Sequence, residues 1–293
     1  MEKEGIKDIL HPYGSLDILY YYVKVSKILD NFLKSREIAT KTVIKDFFFL
    51  KRGSNSRPLF IEYLKEVDEK MLKLRAENHL DQVKDKLNKK QILIWQYFVP
   101  RKFMNFFYAT NKEGVGKAMD RIFIDIDRRK QTAEDARKVA FALINIIKKD
   151  KEFNKKLKYR IVVLWTGNSF HVLLLLKNKI NLEFYSKYLS YGKKKSESFI
   201  VKWAEEASRD TGISVSAGHE KSDKFIILDS SNTPSGKLGR VPFSLHVKNS
   251  EEYDGICVPV SSSALGDKNL INKLNSLTPE KVLKNLDSYK RLL

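Results

Sequence analysis

The chain has 293 residues, 42% of them hydrophobic, enough for one large domain or two modest ones with a sizeable core. Lysine and arginine number 55 against 36 acids, and the net charge of +19 makes a polyanion the expected partner. An anionic membrane surface competes weakly, for there is no long uncharged apolar run and no N-terminal signal peptide; the lone Cys257 excludes an internal disulfide and a cysteine-based zinc site, and fits a reducing cytoplasm.

Residues 1–15 read as a loose lead ending in His11-Pro12-Tyr13-Gly14-Ser15. Ser15 is placed to cap a helix with Leu16, Leu19, Tyr20 and Val23 on one face. Ile44 to Leu50 reads as a buried strand, and Lys51 to Pro58 as a basic turn. Phe60, Leu64, Val67, Met71 and Leu74 repeat at helical spacing, and Leu80, Val83 and Leu87 extend that helix or start another. Gln91 to Thr110 is rich in aromatic residues (Trp95, Tyr97, Phe98, Phe103, Phe106, Phe107, Tyr108) and predicts one or two strands. Bases can stack on such rings, but burial is the expected fate of most of them. A glycine-containing loop, 111–117, follows.

Next comes Arg121-Ile122-Phe123-Ile124-Asp125-Ile126-Asp127. In a strand, side chains two apart share a face, so the isoleucines enter a core while both carboxylates project together from the other side. Like charges that close repel, and a divalent cation is the simplest way to keep both ionised. A strand end running into the polar turn Arg128-Arg129-Lys130 is the plain alternative. Thr132 with Asp135 then opens a helix carrying Ala136, Val139, Ala140, Leu143 and Ile147.

Tyr159–Trp165 and Phe170–Leu176, separated by Thr166-Gly167-Asn168-Ser169, form a hairpin signal in which Ser169 and His171 share a face. Lys193–Lys195 make a basic loop. Phe199, Ile200, Trp203, Ala204 and Ala207 mark a helix that Gly212 ends. Phe225 to Asp229 is a short strand ending in an acid, 236–247 a loop of basic and small residues, and Ile256–Val260 a final strand. Residues 264–293 read as helical, with Thr278 as cap and Pro279 at the first helical position.

Asp125, Asp127, Ser169, His171 and Asp229 thus all sit at strand ends. Three carboxylates converging on one sheet edge can hold two Mg²⁺ or Mn²⁺ ions, while a hydroxyl, an imidazole and the cationic Arg240, His246 and Lys248 can meet phosphate oxygens. That is the inventory of phosphoryl transfer, without the Gly-x-x-x-x-Gly-Lys-Ser/Thr run of a P-loop. Taken singly, Ser169 is as well explained as a turn cap, His246 as a loop histidine and Asp229 as an ordinary strand-end acid.

In this order, Asp-x-Asp, Ser-x-His and a strand-end Asp resemble the three motifs of the archaeo-eukaryotic primase superfamily, as found in the catalytic small subunit of archaeal and eukaryotic primases and in primase-polymerases. Arg240-Val241-Pro242-Phe243-Ser244-Leu245-His246-Val247-Lys248 resembles the segment after their third acid. Thr166–His171 resembles their loop before the second motif, and Lys45-Asp46-Phe47-Phe48-Phe49 their upstream basic-acidic-Phe-x-Phe stretch. The likeness covers roughly residues 45 to 260.

The resemblance implies an α/β (α+β) catalytic core containing a sheet module related to the RNA-recognition fold. A mainly helical part (1–90) would precede the core (91–263), and a C-terminal helical segment (264–293) would follow. It implies Asp125, Asp127 and Asp229 as catalytic metal ligands for two Mg²⁺ or Mn²⁺ ions. Ser169, His171, Arg240, His246 and Lys248 would hold the incoming triphosphate, with Lys45 and Asn168 as further contacts to nucleotide or template. It implies a DNA-dependent primase/polymerase serving DNA replication in the cytoplasm, associated with nucleoid or plasmid. Its partners would be single-stranded DNA template, NTP or dNTP, a primer strand, and a helicase or accessory primase subunit; no membrane partner and no zinc are expected. Two departures stand out: the zinc knuckle of many primase small subunits cannot form, and Asn168 replaces the arginines usual in the second motif's loop. A gap-filling, ligase-associated type of polymerase in DNA repair and a catalytically silent nucleic-acid-binding subunit are the alternatives.

Overall fold

The computed structural model describes residues 18–44, 47–100, 102–191, 197–220, 222–249 and 253–293; Ser15, Lys45 and Lys193–Lys195 lie outside them. Helix α1 (Ile18–Leu29) buries Leu19, Tyr21, Tyr22, Val25 and Leu29, a face rotated from the expected one. Hydrogen bonding sets the rotation. The Tyr21 hydroxyl donates to the Phe243 carbonyl and the Tyr22 hydroxyl to the Met104 carbonyl, each at 2.9 Å, so both rings turn inward.

Strands β1 (Glu37–Ile44) and β2 (Phe47–Lys51) pair antiparallel, and β3 (Leu59–Phe60) joins the start of β1. The buried strand expected at Ile44 to Leu50 is instead an edge: Phe47, Phe48 and Phe49 are 73%, 53% and 67% exposed. Among the described residues β2 has β1 beside it and neither face covered, so the apolar run makes a strand without making a core. The helical spacing from Phe60 to Leu74 is interrupted. A 3-10 segment over Ile61–Glu66 stops, and Asp68 accepts from the Met71 N–H at 2.7 Å to start α2 (Glu69–Glu77) afresh.

After α3 (Leu80–Val83), the strands expected across 91–110 are one helix, α4 (Lys89–Tyr97), and one strand, β4 (Met104–Ala109). Asn88 accepts from the N–H groups of Lys90 and Gln91, and the Gln91 side chain accepts from the Asn88 N–H. That reciprocal cap outweighs the strand preference of Ile92-Leu93-Ile94-Trp95. The aromatic residues here are buried, save half-buried Phe107.

β5 (Met119–Asp127) is followed by α5 (Ala133–Lys149), opened by the Thr132–Asp135 reciprocal cap, and by α6 (Lys151–Lys156). The hairpin β6 (Tyr159–Trp165) and β7 (Phe170–Ile180) forms as expected. Helices α7 (Leu182–Tyr188) and α8 (Phe199–Thr211) come next, the latter stopped by Gly212 at φ +70°. β8 (Val215–Ala217) and β9 (Ile226–Asp229) follow. The expected loop over 236–247 contains two short strands, β10 (Leu238–Arg240) and β11 (Leu245–Val247), because each finds a backbone partner. The expected final strand divides at Cys257 into β12 (Tyr253–Ile256) and β13 (Val258–Val260). Cys257 bonds the Phe243 and Ser244 backbone instead of a sheet neighbour. Helices α9 (Leu270–Asn275), α10 (Pro279–Lys284, capped by Thr278) and α11 (Leu286–Lys290) close the chain.

Two larger sheets result. The first runs β10-β4-β1-β2 with β3 on β1; the second runs β13-β6-β7-β5-β9-β8, and β11-β12 stand apart as a two-stranded ribbon. Ile122, Ile124 and Ile126 are buried on the helix-covered face of β5. The opposite face of β5 meets the first sheet at Gly239, where a Cβ would lie 2.7 Å from the Phe123 ring. Glycine is required at that crossing, and it lets the two sheets close on the face that carries the acids. Among the described residues, no helix is long and apolar enough to cross a membrane.

Candidate active site

Phe123, Asp125 and Asp127 project from β5 on the face away from the isoleucines. The register places His171 of β7 opposite Asp125 on one side and Asp229 of β9 opposite it on the other. Opposed residues on neighbouring strands hold their Cβ atoms about 4.5–5.5 Å apart, so one row across three strands carries an imidazole and two carboxylates. Asp127 lies on the same face, two residues further along.

His171 Nε2 stands 3.3 Å from Asp125 Oδ1, and its ring packs on Phe123 with centroids 4.6 Å apart. Its Nδ1 is buried without a hydrogen-bond partner. Asp229 accepts from the Ser231 N–H at 2.7 Å and from the Ser231 hydroxyl at 3.0 Å. Burial raises the Asp229 carboxyl above its ordinary range, and the Asp125 charge adds to the rise against those two bonds. Asp127 accepts from the Arg129 N–H at 3.2 Å.

This donor set fits a hard divalent cation: carboxylate oxygens from facing strands, one of them half-buried beside a like charge. Among the described residues, no three His, Cys, Asp or Glu side chains form a ready cage around one point. A cation at this row would therefore complete its coordination with water or substrate oxygens.

The other expected residues divide by what already holds them. Ser169 is buried; its hydroxyl donates to the Ile126 carbonyl and its N–H to Thr166 Oγ1 at 2.9 Å, so it staples the β6–β7 turn to the end of β5. While that bond stands, its proton is not available to a phosphate. Asn168 receives Arg128: Nε donates to its carbonyl at 2.7 Å and a terminal nitrogen to Oδ1 at 2.5 Å. The loop that lacks its own arginine thus borrows one from the turn after β5. Arg240, on β10, donates to Asn105 Oδ1 at 2.7 Å and lies over the Phe107 ring at 5.2 Å. Burial lowers its pKa, while the charges of Asp125 and Asp254 favour its cationic form.

His246 and Lys248 converge on one carboxylate. His246 Nδ1 and Lys248 Nζ make short contacts to the two oxygens of Asp254. Burial alone would raise the Asp254 carboxyl, but the hydrogen bonds from His246 and Lys248 prevail and bring it to about 2. The β6–β7 turn sits against this ribbon: Gly167, at φ +95°, has room for a Cβ only 2.9 Å from His246 Cβ and 3.0 Å from the Gly255 backbone.

Sequence reading missed Arg128, Asn105, Asp254, and the stacked pair Tyr191 and His219, whose ring centroids are 5.5 Å apart. Burial, and then the charge of Asp229, push the Tyr191 phenol up to about 12. Asn105 had a signal, a lone amide within the apolar run Phe103–Tyr108. Asp254 had none, because its place depends on a register shift.

No protein-family profile matches the sequence, and no curated protein matches it. Among solved structures, the chain is similar to the polymerase domain of Mycobacterium tuberculosis ligase D, a structure in complex with DNA. The TM-score is 0.58 at 12% identity, over 98% of this chain and 94% of that one. The mixed α/β architecture is that of the polymerase domain.

Proposed function

We propose that the protein is a divalent-cation-dependent nucleotidyltransferase of the primase-polymerase kind, adding nucleotides to a strand on a single-stranded DNA template. The observation that carries the reading is the row His171–Asp125–Asp229, aligned in register on the sheet face that meets the first sheet, in a fold shared with a polymerase domain. The net charge of +19 supports a polyanionic template.

In this reading Asp125 and Asp229 hold Mg²⁺ or Mn²⁺, with Asp127 as a further ligand. When bound, the ions neutralise charge building on the attacking and leaving oxygens. His171 orients Asp125 and offers a hydrogen bond toward the triphosphate. Arg240, His246 and Lys248 neutralise the phosphates. Ser169 and Asn168 act at one remove, the first by fixing the turn and the second by holding Arg128. The exposed rings of Phe47, Phe48 and Phe49, with Lys41 Nζ 3.8 Å from the Phe48 centroid, offer template bases a stacking edge beside a cation.

A gap-filling polymerase is the second reading, favoured by the likeness to the ligase D domain. One assay separates the readings: single-stranded DNA, Mg²⁺ or Mn²⁺, and labelled NTPs or dNTPs, with and without a primer. Products without a primer make it a primase; products only with one make it a primer-extending polymerase, and the gap-filling reading requires in addition a preference for a gapped duplex over the simple primed template. Binding of DNA with no incorporation under any condition would overturn both in favour of a silent nucleic-acid-binding subunit.

A further inference from the structure

The β11–β12 ribbon is not a regular ladder. Leu245 faces Ile256 and His246 faces Gly255, but Val247 faces Tyr253, so Asp254 is the extra residue of a bulge. The irregularity has a consequence for side-chain direction. In an unbroken ladder Asp254 would oppose Val247, which is buried, and its carboxylate would point to the side away from His246 and Lys248. The bulge turns Asp254 to the side shared by His246 and Lys248, where one oxygen meets His246 Nδ1 and the other Lys248 Nζ. Bulges of this sort re-aim a side chain, and they concentrate beside active sites.

Two further facts tie the arrangement to the site. Gly255, opposite His246, has no side chain because the β6–β7 turn occupies that space: a Cβ on Gly255 would lie within 2.8 Å of three Gly167 backbone atoms. The imidazole therefore stands beside the turn that carries Asn168 and leads into His171. Asp254, its carboxyl at about 2, is anionic at any working pH, and its charge also favours the cationic form of Arg240.

We infer that Asp254 is a positioning residue for the triphosphate: it anchors His246 through Nδ1, leaves Nε2 as the nitrogen offered to a phosphate oxygen, and keeps Lys248 alongside. An imidazole that donates from both nitrogens is a cation, and a fixed carboxylate on Nδ1 supplies its counter-charge and sets its ring plane. Lys248, an exposed side chain, gains a defined position from the other oxygen. The inference rests on the nucleotidyltransferase reading for its purpose. Its geometry, the Nδ1 contact, can be checked apart from it.

The test uses the wild type, Asp254→Ala, Asp254→Asn, His246→Ala and the double variant of Ala at both positions. Steady-state incorporation gives KM for nucleotide and kcat; ¹⁵N spectroscopy of the imidazoles gives the protonated nitrogen of His246, with and without added nucleoside triphosphate. Expected for Asp254→Ala is a KM about tenfold higher or more, the loss of a charged hydrogen bond, with kcat and single-strand affinity little changed. Asp254→Asn keeps an acceptor for Nδ1–H and recovers part of the loss. In the His246→Ala background, removing Asp254 should add little, since the two act as one unit. A merely structural Asp254 would instead raise KM by the same factor in both backgrounds once folded fraction is corrected for, and that result overturns the inference. So does a wild-type spectrum with Nδ1 unprotonated. Should the wild type incorporate nothing, the polymerase reading fails. The positioning of His246 then still stands or falls on whether added triphosphate shifts the Nε2 signal in the wild type and not in Asp254→Ala.

Discussion

Asp125 and Asp229 stand directly opposite one another on β5 and β9, and burial together with the Asp125 charge holds the Asp229 carboxyl above its ordinary range. Two carboxylates kept that close without a counter-ion work against the fold. Such a pair makes sense as a place prepared for positive charge.

The first expectation follows from that tension. Asp125→Ala, Asp127→Ala and Asp229→Ala should each abolish incorporation while leaving far-ultraviolet circular dichroism unchanged. Asp229→Asn should also abolish it, yet melt above the wild type in chelator at neutral pH, because it removes the half-buried like charge. Near-wild-type activity in any of the four removes that acid from the metal site, and a lowered melting point in Asp229→Asn would show that repulsion does not dominate there.

Asp254 should leave its mark on acid stability. Its folded-state carboxyl, at about 2, lies below the ordinary 3.8, so between these values the unfolded chain binds more protons. The stability it contributes is complete above about 4 and is lost as pH falls through about 2. Asp229 has the opposite sign: its raised pKa makes the ionised form a cost, which lessens as pH falls towards that value. Melting curves of Asp254→Asn and the wild type should therefore differ most near neutrality and converge towards pH 2. Parallel curves throughout would contradict the depressed pKa.

His171→Ala should act through nucleotide rather than template. A hydrogen bond to a charged phosphate is worth about 1.5–3 kcal/mol, roughly ten- to a hundredfold in apparent nucleotide affinity. The ring also packs on Phe123, so some loss of melting temperature is expected. Correcting for folded fraction decides the matter: if folded molecules bind nucleotide normally, His171 is a packing residue only.

The aromatic edge and the basic charge make separable contributions to template binding. Phe48→Ala and Phe49→Ala, at exposed positions, should weaken single-strand affinity by about 1–3 kcal/mol per stacked base with melting temperature unchanged. Affinity should also fall with salt, at about −0.7 in log K against log salt for each phosphate neutralised. Unchanged binding in both variants would leave β2 without a part in it.

Much of this site could be read from residues alone, and the reason is local. Ile122, Ile124 and Ile126 alternate with Asp125 and Asp127, so face and function separate within one strand. Thr166 to Ser169 announces its hairpin, and the hairpin carries His171. Asp229 ends a short apolar run. What escaped depends on neighbours. Phe47–Phe49 form the strand that an apolar run predicts, but burial needs a covering element, and among the described residues β2 has none. Residues 91–97 are strand-like in composition and become helical through the Asn88–Gln91 cap. Asp254 reaches His246 through one extra residue in a ladder, and no periodicity in the chain marks that insertion.

The row centred on Asp125 also fixes when, during folding, the site can exist. Its three residues come from β5, β7 and β9, and several helices are laid down along the chain between them. Local contacts form before distant ones, because closing a long loop costs entropy before the contact repays it. The β6–β7 hairpin can dock on β5 early and bring His171 to Asp125. The four-residue β9 must then arrive from much further along the chain, with parallel β8 beside it. A chain halted before that step holds a hydrophobic strand and a single paired acid, with no second carboxylate facing it. The acid pair is therefore expected to be completed late, and an intermediate lacking β9 would carry the sheet without it.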